Sequence, residues 1–156
     1  MKEVMINAYG KDKLKNLASY KKHSYYPIIH KWVDRHSIEP RRKFIYYFAI
    51  PDDRGNVFVI PSKWCEDIHE CNEYYTLTID LNEQAIEQLN KAGKFTGKQV
   101  HLIDHVWEDN NPHTEQGKKK FDIFFAILDE DKHIFIVQST WGKVVILNDK
   151  NQPVYA

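Results

Sequence analysis

The residues predict an α+β protein: a mainly antiparallel sheet of about six to seven strands, two N-terminal helices and one central helix over 81–92. Three observations predict it. Between Asp12 and His36, apolar residues recur every three or four positions. From Phe44 onward the chain changes to short aromatic and β-branched runs separated by turn signals. Between Asp80 and Gly93, one segment carries the marks of a capped helix.

In order along the chain, Asp12 can cap a helix whose apolar face holds Leu14, Leu17 and Ala18. A second helix is expected after Ser24. Pro27 fits its first turn, and Ile29, Trp32, Val33 and His36 fall on one face. Glu39-Pro40 ends it, because a residue before proline avoids the α region. Residues 44–50 and 56–60 read as the arms of a hairpin turning at Asp52-Asp53-Arg54-Gly55. The polar stretch 65–73 is expected to be a short helix or loop, and 75–79 a strand. Asp80 and Glu83 form a capping box for the central helix, whose apolar face is Ala85, Ile86, Leu89 and Ala92. A strand is expected over 98–107. Residues 108–120, aperiodic and containing Asn-Asn-Pro, read as a long loop. Strands over 121–128, 133–139 and 143–147 close the chain. No internal repeat is evident.

At 156 residues the chain fits a single domain, 1–156. Charge divides it. Up to Lys43 there are eleven Lys/Arg against four acids, whereas the remainder holds 11 basic and 18 acidic side chains. A basic helical part, 1–43, is therefore expected to pack on an acidic, sheet-rich part, 44–156. Such a split suits either a polyanion-binding patch or an internal electrostatic clasp. No apolar run approaches the roughly 20 residues of a membrane helix, and the first residues lack the apolar core of a signal peptide. With only two cysteines, Cys65 and Cys71, a cytoplasmic location without membrane contact is the expectation.

No cofactor is implied. The chain lacks the glycine-rich phosphate and dinucleotide loops, the G-x-S-x-G elbow and H-E-x-x-H, which argues against the chemistries those motifs serve. Cys65, His69 and Cys71 are a weak metal candidate: thiolates with imidazole suit zinc, but their spacing matches no standard zinc pattern. On the strand bearing His101 and His105, alternation puts both histidines on one face. Together with Lys143, and with Ser139 or Thr140 nearby, they could supply the base, acid and cation of a metal-independent RNase. Basic helices before an antiparallel sheet are similar in outline to small toxin RNases of the barnase and RelE type. Asp104-His105-Val106 resembles the opening of an HNH nuclease motif, but the helix that should complete it is absent. Asp122, Glu130 and Lys132 resemble a restriction-type nuclease pattern, but Glu130 and Lys132 fall in a turn.

Two interaction surfaces compete. Arg41, Arg42 and Lys43, with Lys118, Lys119 and Lys120, are basic triplets suited to RNA or DNA. Glu66, Asp67, Glu70 and Glu73 lie beside Trp64, Tyr74 and Tyr75, a combination in which aromatics anchor a partner and acids steer it. The leading expectation is a non-enzymatic protein-binding module of the immunity-protein or phage-inhibitor kind, occluding a basic site on a partner protein. The alternative is a nucleic-acid-binding protein or RNase.

Overall fold

The computed structural model describes residues 1–34, 45–92, 95, 100–111 and 120–155. Lys2–Ile6 forms the first strand, β1, with Val4 and Ile6 buried and Lys2 exposed. Asn7 turns the chain into helix α1, Ala8–Leu14, by accepting the Gly10 N–H at 2.8 Å. The cap is thus Asn7; Asp12 sits inside the helix. Where a second helix is expected, the chain forms two strands, Tyr26–Pro27 (β2) and His30–Asp34 (β3). Trp32 and Asp34 are buried and Val33 between them is less so, an alternation of two. Over so short a stretch Ile29, Trp32 and Val33 satisfy either period, and β-branched and aromatic side chains favour the strand. Ile45–Pro51 (β4) and Val57–Pro61 (β5) form the expected hairpin. A 3₁₀ turn, Ser62–Trp64, leads into Cys65–Glu70 (β6), a strand despite its polar composition.

Thr76–Leu81 (β7) precedes helix α2, Glu83–Ala92. Asn82 accepts the Ala85 N–H at 2.8 Å, while Asp80, the expected cap, stays in β7. Val100–Asn111 (β8) runs past Trp107 and pairs with Lys120–Leu128 (β9) as far as Asn111 opposite Lys120, so part of the expected loop is ladder. Ile134–Gln138 (β10), a 3₁₀ turn at Ser139–Trp141, Gly142–Leu147 (β11) and Pro153–Val154 (β12) follow.

All strand pairings among the described residues are antiparallel, in three sheets ordered β2-β1-β6, β3-β4-β5 and β10-β9-β8-β7-β11-β12. The described residues contain twelve strands and two α-helices. This corrects the expected α+β fold with three helices and six to seven strands: the protein is built mostly of antiparallel sheet. Residues 1–34, the described part of the basic N-terminal segment, hold one helix and three strands rather than two helices. Among the described residues, no helix is long and apolar enough to cross a membrane.

The fold is built twice, which corrects the expectation of no repeat. Phe48, Ala49, Ile50, Asp52, Phe58, Ser62 and Trp64 recur, at the same spacing, as Phe125, Ala126, Ile127, Asp129, Phe135, Ser139 and Trp141. His-x-Trp-x-Asp occurs at 30–34 and again at 105–109. Val4, Ile6, Asn7, Leu14 and Tyr20 match Ile79, Leu81, Asn82, Leu89 and Phe95. The strand order β5-β4-β3 with β2-β1-β6 reappears as β10-β9-β8-β7-β11. The pair β2 and β3 corresponds to β8, which shifts register between Ile103 and His105. Each half closes alike: the Trp64 carbonyl accepts the Asn7 N–H, and the Trp141 carbonyl the Asn82 N–H, both at 2.9 Å. Each hairpin turn is tied by a buried aspartate. Asp52 accepts the N–H groups of Arg54 and Asn56, and Asp129 that of His133. Gly55 (φ 82°) and Lys132 (φ 64°) take the same left-handed place in these turns.

Two hydrophobic clusters follow the repeat. Val4, Ile6, Leu14, Tyr20, Phe48, Ile50 and Ile60 lie in one. Ile79, Leu81, Leu89, Phe95, Phe125, Ile127 and Val137 lie in the other. Each such side chain contributes about 1.5–3 kcal/mol on burial. The outer face of β3-β4-β5 packs on the second half. Trp32 and Ala49 join the second cluster, Val57 and Val59 pack against it, and the Phe121 ring lies 5.3 Å from Trp32 and 4.9 Å from Tyr47. At the seam Val144 donates its N–H to the Gly55 carbonyl at 2.9 Å. A Cβ on Gly55 would sit 2.7 Å from the Val144 carbonyl oxygen, so only glycine fits there.

Candidate functional site

The acidic-aromatic residues singled out from the sequence lie on and after β6. This strand pairs with β1 on one side, and among the described residues no strand pairs with the other. Opposite Glu3 and Met5 the register shifts, and Asp67 adopts φ 53°, so the edge carries a bulge. Glu66, Asp67, Glu70 and Glu73 are all exposed. Asp67 accepts the Tyr25 hydroxyl, and this bond holds the Tyr25 proton more tightly than usual. Glu73 accepts the Tyr75 hydroxyl at 2.8 Å. Tyr74 is 89% exposed, an unusual setting for a large ring.

Trp64 and Tyr75 are half-buried. The Trp64 ring meets Tyr9 edge-on at 6.1 Å, and its buried Nε1 has no hydrogen-bond partner among the described residues. Tyr75 packs on Tyr155 at 5.9 Å. These two rings brace the surface; Tyr74 is the one that projects from it. Ile68, 46% exposed between the acids, adds an apolar contact that the sequence pattern does not single out. Only its place on an edge strand reveals it, because the segment looks like a polar loop.

The metal candidate does not assemble. Among the described residues the ligating side chains that converge are Asp129, Asp131 and His133, not Cys65, His69 and Cys71. Burial pushes the Cys65 thiol up to about 12, against thiolate formation. His69 is engaged by Glu3 at 2.7 Å, and Cys71 donates to the Tyr75 hydroxyl at 3.5 Å. Asp129 itself ties its own turn, as Asp52 does in the other half.

The nuclease set is dispersed. The register shift after Ile103 moves His101 and His105 to opposite faces, overturning the simple alternation. His101 is 5% exposed, packed on Phe95 at 4.9 Å, with Nδ1 held 3.0 Å from the Leu128 carbonyl. His105 is exposed and stacks on Trp107 at 5.9 Å. Lys143 stands opposite Asp80, two strands from β8, and donates to Asn56. Ser139 is buried, and Thr140 donates to Gln138 at 3.4 Å. Glu130 and Lys132 sit at a hairpin turn, as the sequence indicates. Arg41, Arg42, Lys43, Lys118 and Lys119 lie outside the described residues, and Lys120 begins β9.

A cleft of about 680 Å³ lies beside the seam between the two halves, lined by Tyr47, Val59 and Trp64 from one and by Phe121, Asp122 and Thr140 from the other. The described residues around it form no convergent set of catalytic groups. No family model matches this chain, and no curated protein or solved structure matches it either.

Proposed function

We propose that the chain is a protein-binding module of the immunity-protein or phage-inhibitor kind, which covers a basic site on a partner protein. The observation that carries this reading is the edge strand β6. It presents Glu66, Asp67, Ile68 and Glu70 to solvent and is followed at once by Glu73 and the projecting Tyr74. An apolar anchor within a ring of like charge gives affinity through the anchor and steered encounter through the charges. The dispersal of His101, His105 and Lys143 supports binding over catalysis.

The test is capture from a host lysate at low salt, after nuclease treatment, with the native chain beside a Glu66→Lys/Asp67→Lys/Glu70→Lys variant. A protein held by the native chain and lost by the variant is the expected result. Its on-rate should fall with added salt, because exposed charges are screened within about 10 Å at 0.1 M. Equal capture by both chains, or recovery of nucleic acid alone without the nuclease step, would overturn the reading.

A further inference from the structure

The internal repeat supplies a template for how the edge of β6 is used. In the second half the strand equivalent to β6 is β11, and its outer edge is occupied. Val144 donates its N–H to the Gly55 carbonyl at 2.9 Å, and β12 adds antiparallel, with Val154 opposite Ile146 and Pro153 opposite Leu147. In the first half no strand among the described residues pairs with that edge of β6. One edge of the duplicated fold is completed by the chain itself, and the other has no partner strand among the described residues.

We infer, on the footing of the protein-binding role proposed for this chain, that β6 accepts an added antiparallel strand from a partner protein. The added strand is an extended segment carrying Lys or Arg. Strand addition satisfies the unpaired backbone groups of an exposed edge, while side chains choose the partner. Here the side chains beside that edge are Glu66, Asp67 and Glu70, which favour cations. The same charges repel a second β6, and the bulge at Asp67 bends the edge away from a flat self-pairing. Continuation of the internal packing is closed off as well. Lys132 stands where Gly55 approaches the neighbouring backbone, and a Cβ at that place meets a carbonyl oxygen at 2.7 Å. The occupant is therefore a different protein rather than another copy of this chain.

The probe is a blocked peptide of about six residues with alternating Lys and Val, a typical strand length, added to the full chain. Its control is the same peptide with Glu for Lys. Residue-resolved amide exchange is the readout. The Lys/Val peptide should slow exchange within Cys65–Glu70 by about tenfold, leave β10 unchanged, and lose its effect on the Glu66→Lys/Asp67→Lys/Glu70→Lys variant. Unchanged exchange at β6, an equal effect from the Glu/Val peptide, or slowing at β10 would each overturn the inference. So would a concentration-dependent dimer with β6 protected in the absence of peptide. Acid-dependent protein capture without slowing at β6 sinks strand addition and leaves the binding reading. Slowing at β6 with no protein captured from lysate does the reverse.

Discussion

Trp64 and Trp141 hold the same post in the two halves of the molecule. Each ends a 3₁₀ turn, and each offers its carbonyl at 2.9 Å to the N–H of the asparagine that caps the helix of its own half, Asn7 or Asn82. Each asparagine in turn accepts a backbone N–H of its helix at 2.8 Å. The equivalence makes the two caps interchangeable in energetic terms. Asn7→Ala and Asn82→Ala should each cost about 1 kcal/mol, measured by urea denaturation. A loss at one site and none at the other would show that the halves are alike in outline only.

The repeat also sets two valines against two isoleucines. Val57 and Val59 pack on the second core, whereas their counterparts Ile134 and Ile136 are 62% and 60% exposed. Val59→Lys should destabilise by about 1–3 kcal/mol and Ile136→Lys should stay within about 0.5 kcal/mol. Thermal unfolding of the two variants decides it. A larger loss at Ile136 would mean that its face is covered in solution.

The two strand histidines should part company. His101→Ala opens the second core and should cost about 2 kcal/mol or more. His105→Ala removes an exposed ring and should change stability little. If an RNA-cleavage assay with purified protein found activity that His105→Ala abolished, the binding reading would fail.

Stability should fall at both ends of the pH scale. Burial alone would raise the pKa of Asp53, but hydrogen bonds from Tyr26, the Lys21 N–H, Ser19 and the Lys22 N–H outweigh it and lower the value. A lowered carboxylate stabilises the fold above its unfolded pKa of about 4, and this is lost as pH drops through the lower folded value. Asp53→Asn should cost about 1–3 kcal/mol at neutral pH and flatten the acid limb. On the alkaline side burial raises Cys65 from 9.0 to about 12, so its contribution is intact below 9 and disappears as pH climbs towards 12. Alkylation of Cys65 by iodoacetamide, followed by mass spectrometry, should be slow at pH 8. Rapid modification there would contradict its burial.

Much of the sheet was legible in the sequence. The hairpin around Asp52–Gly55, the closing strands and the helix ending at Ala92 stand where their patterns put them. The false second helix arose because five residues of β3 carry too few turns to separate a period of 3.6 from one of two. Strand β6 was hidden because an exposed edge has no buried face to impose alternation on its polar side chains. The repeat is faint in the sequence because its identities are sparse, and because β2 and β3 in one half are a single strand, β8, in the other. The acidic surface was readable from composition, but its exposure, and the bulge that separates His101 from His105, depend on pairing registers that no local pattern encodes.

Synthesis runs from one half to the other, and β6 emerges from the ribosome before β7 does. The first half can therefore fold around its own cluster while Trp32, Tyr47, Val57 and Val59 still face solvent. Until the second half arrives, that face is a sticky surface waiting for a shape that every other nascent copy also carries. Seating the second half of one chain on the first half of another would satisfy the same contacts, and yield an exchanged dimer with all its cores intact. The short stretch from Cys71 to Tyr75, which joins β6 to β7, is what makes the partner in the same chain arrive first. Lengthening it should raise the share of exchanged dimer without touching either core.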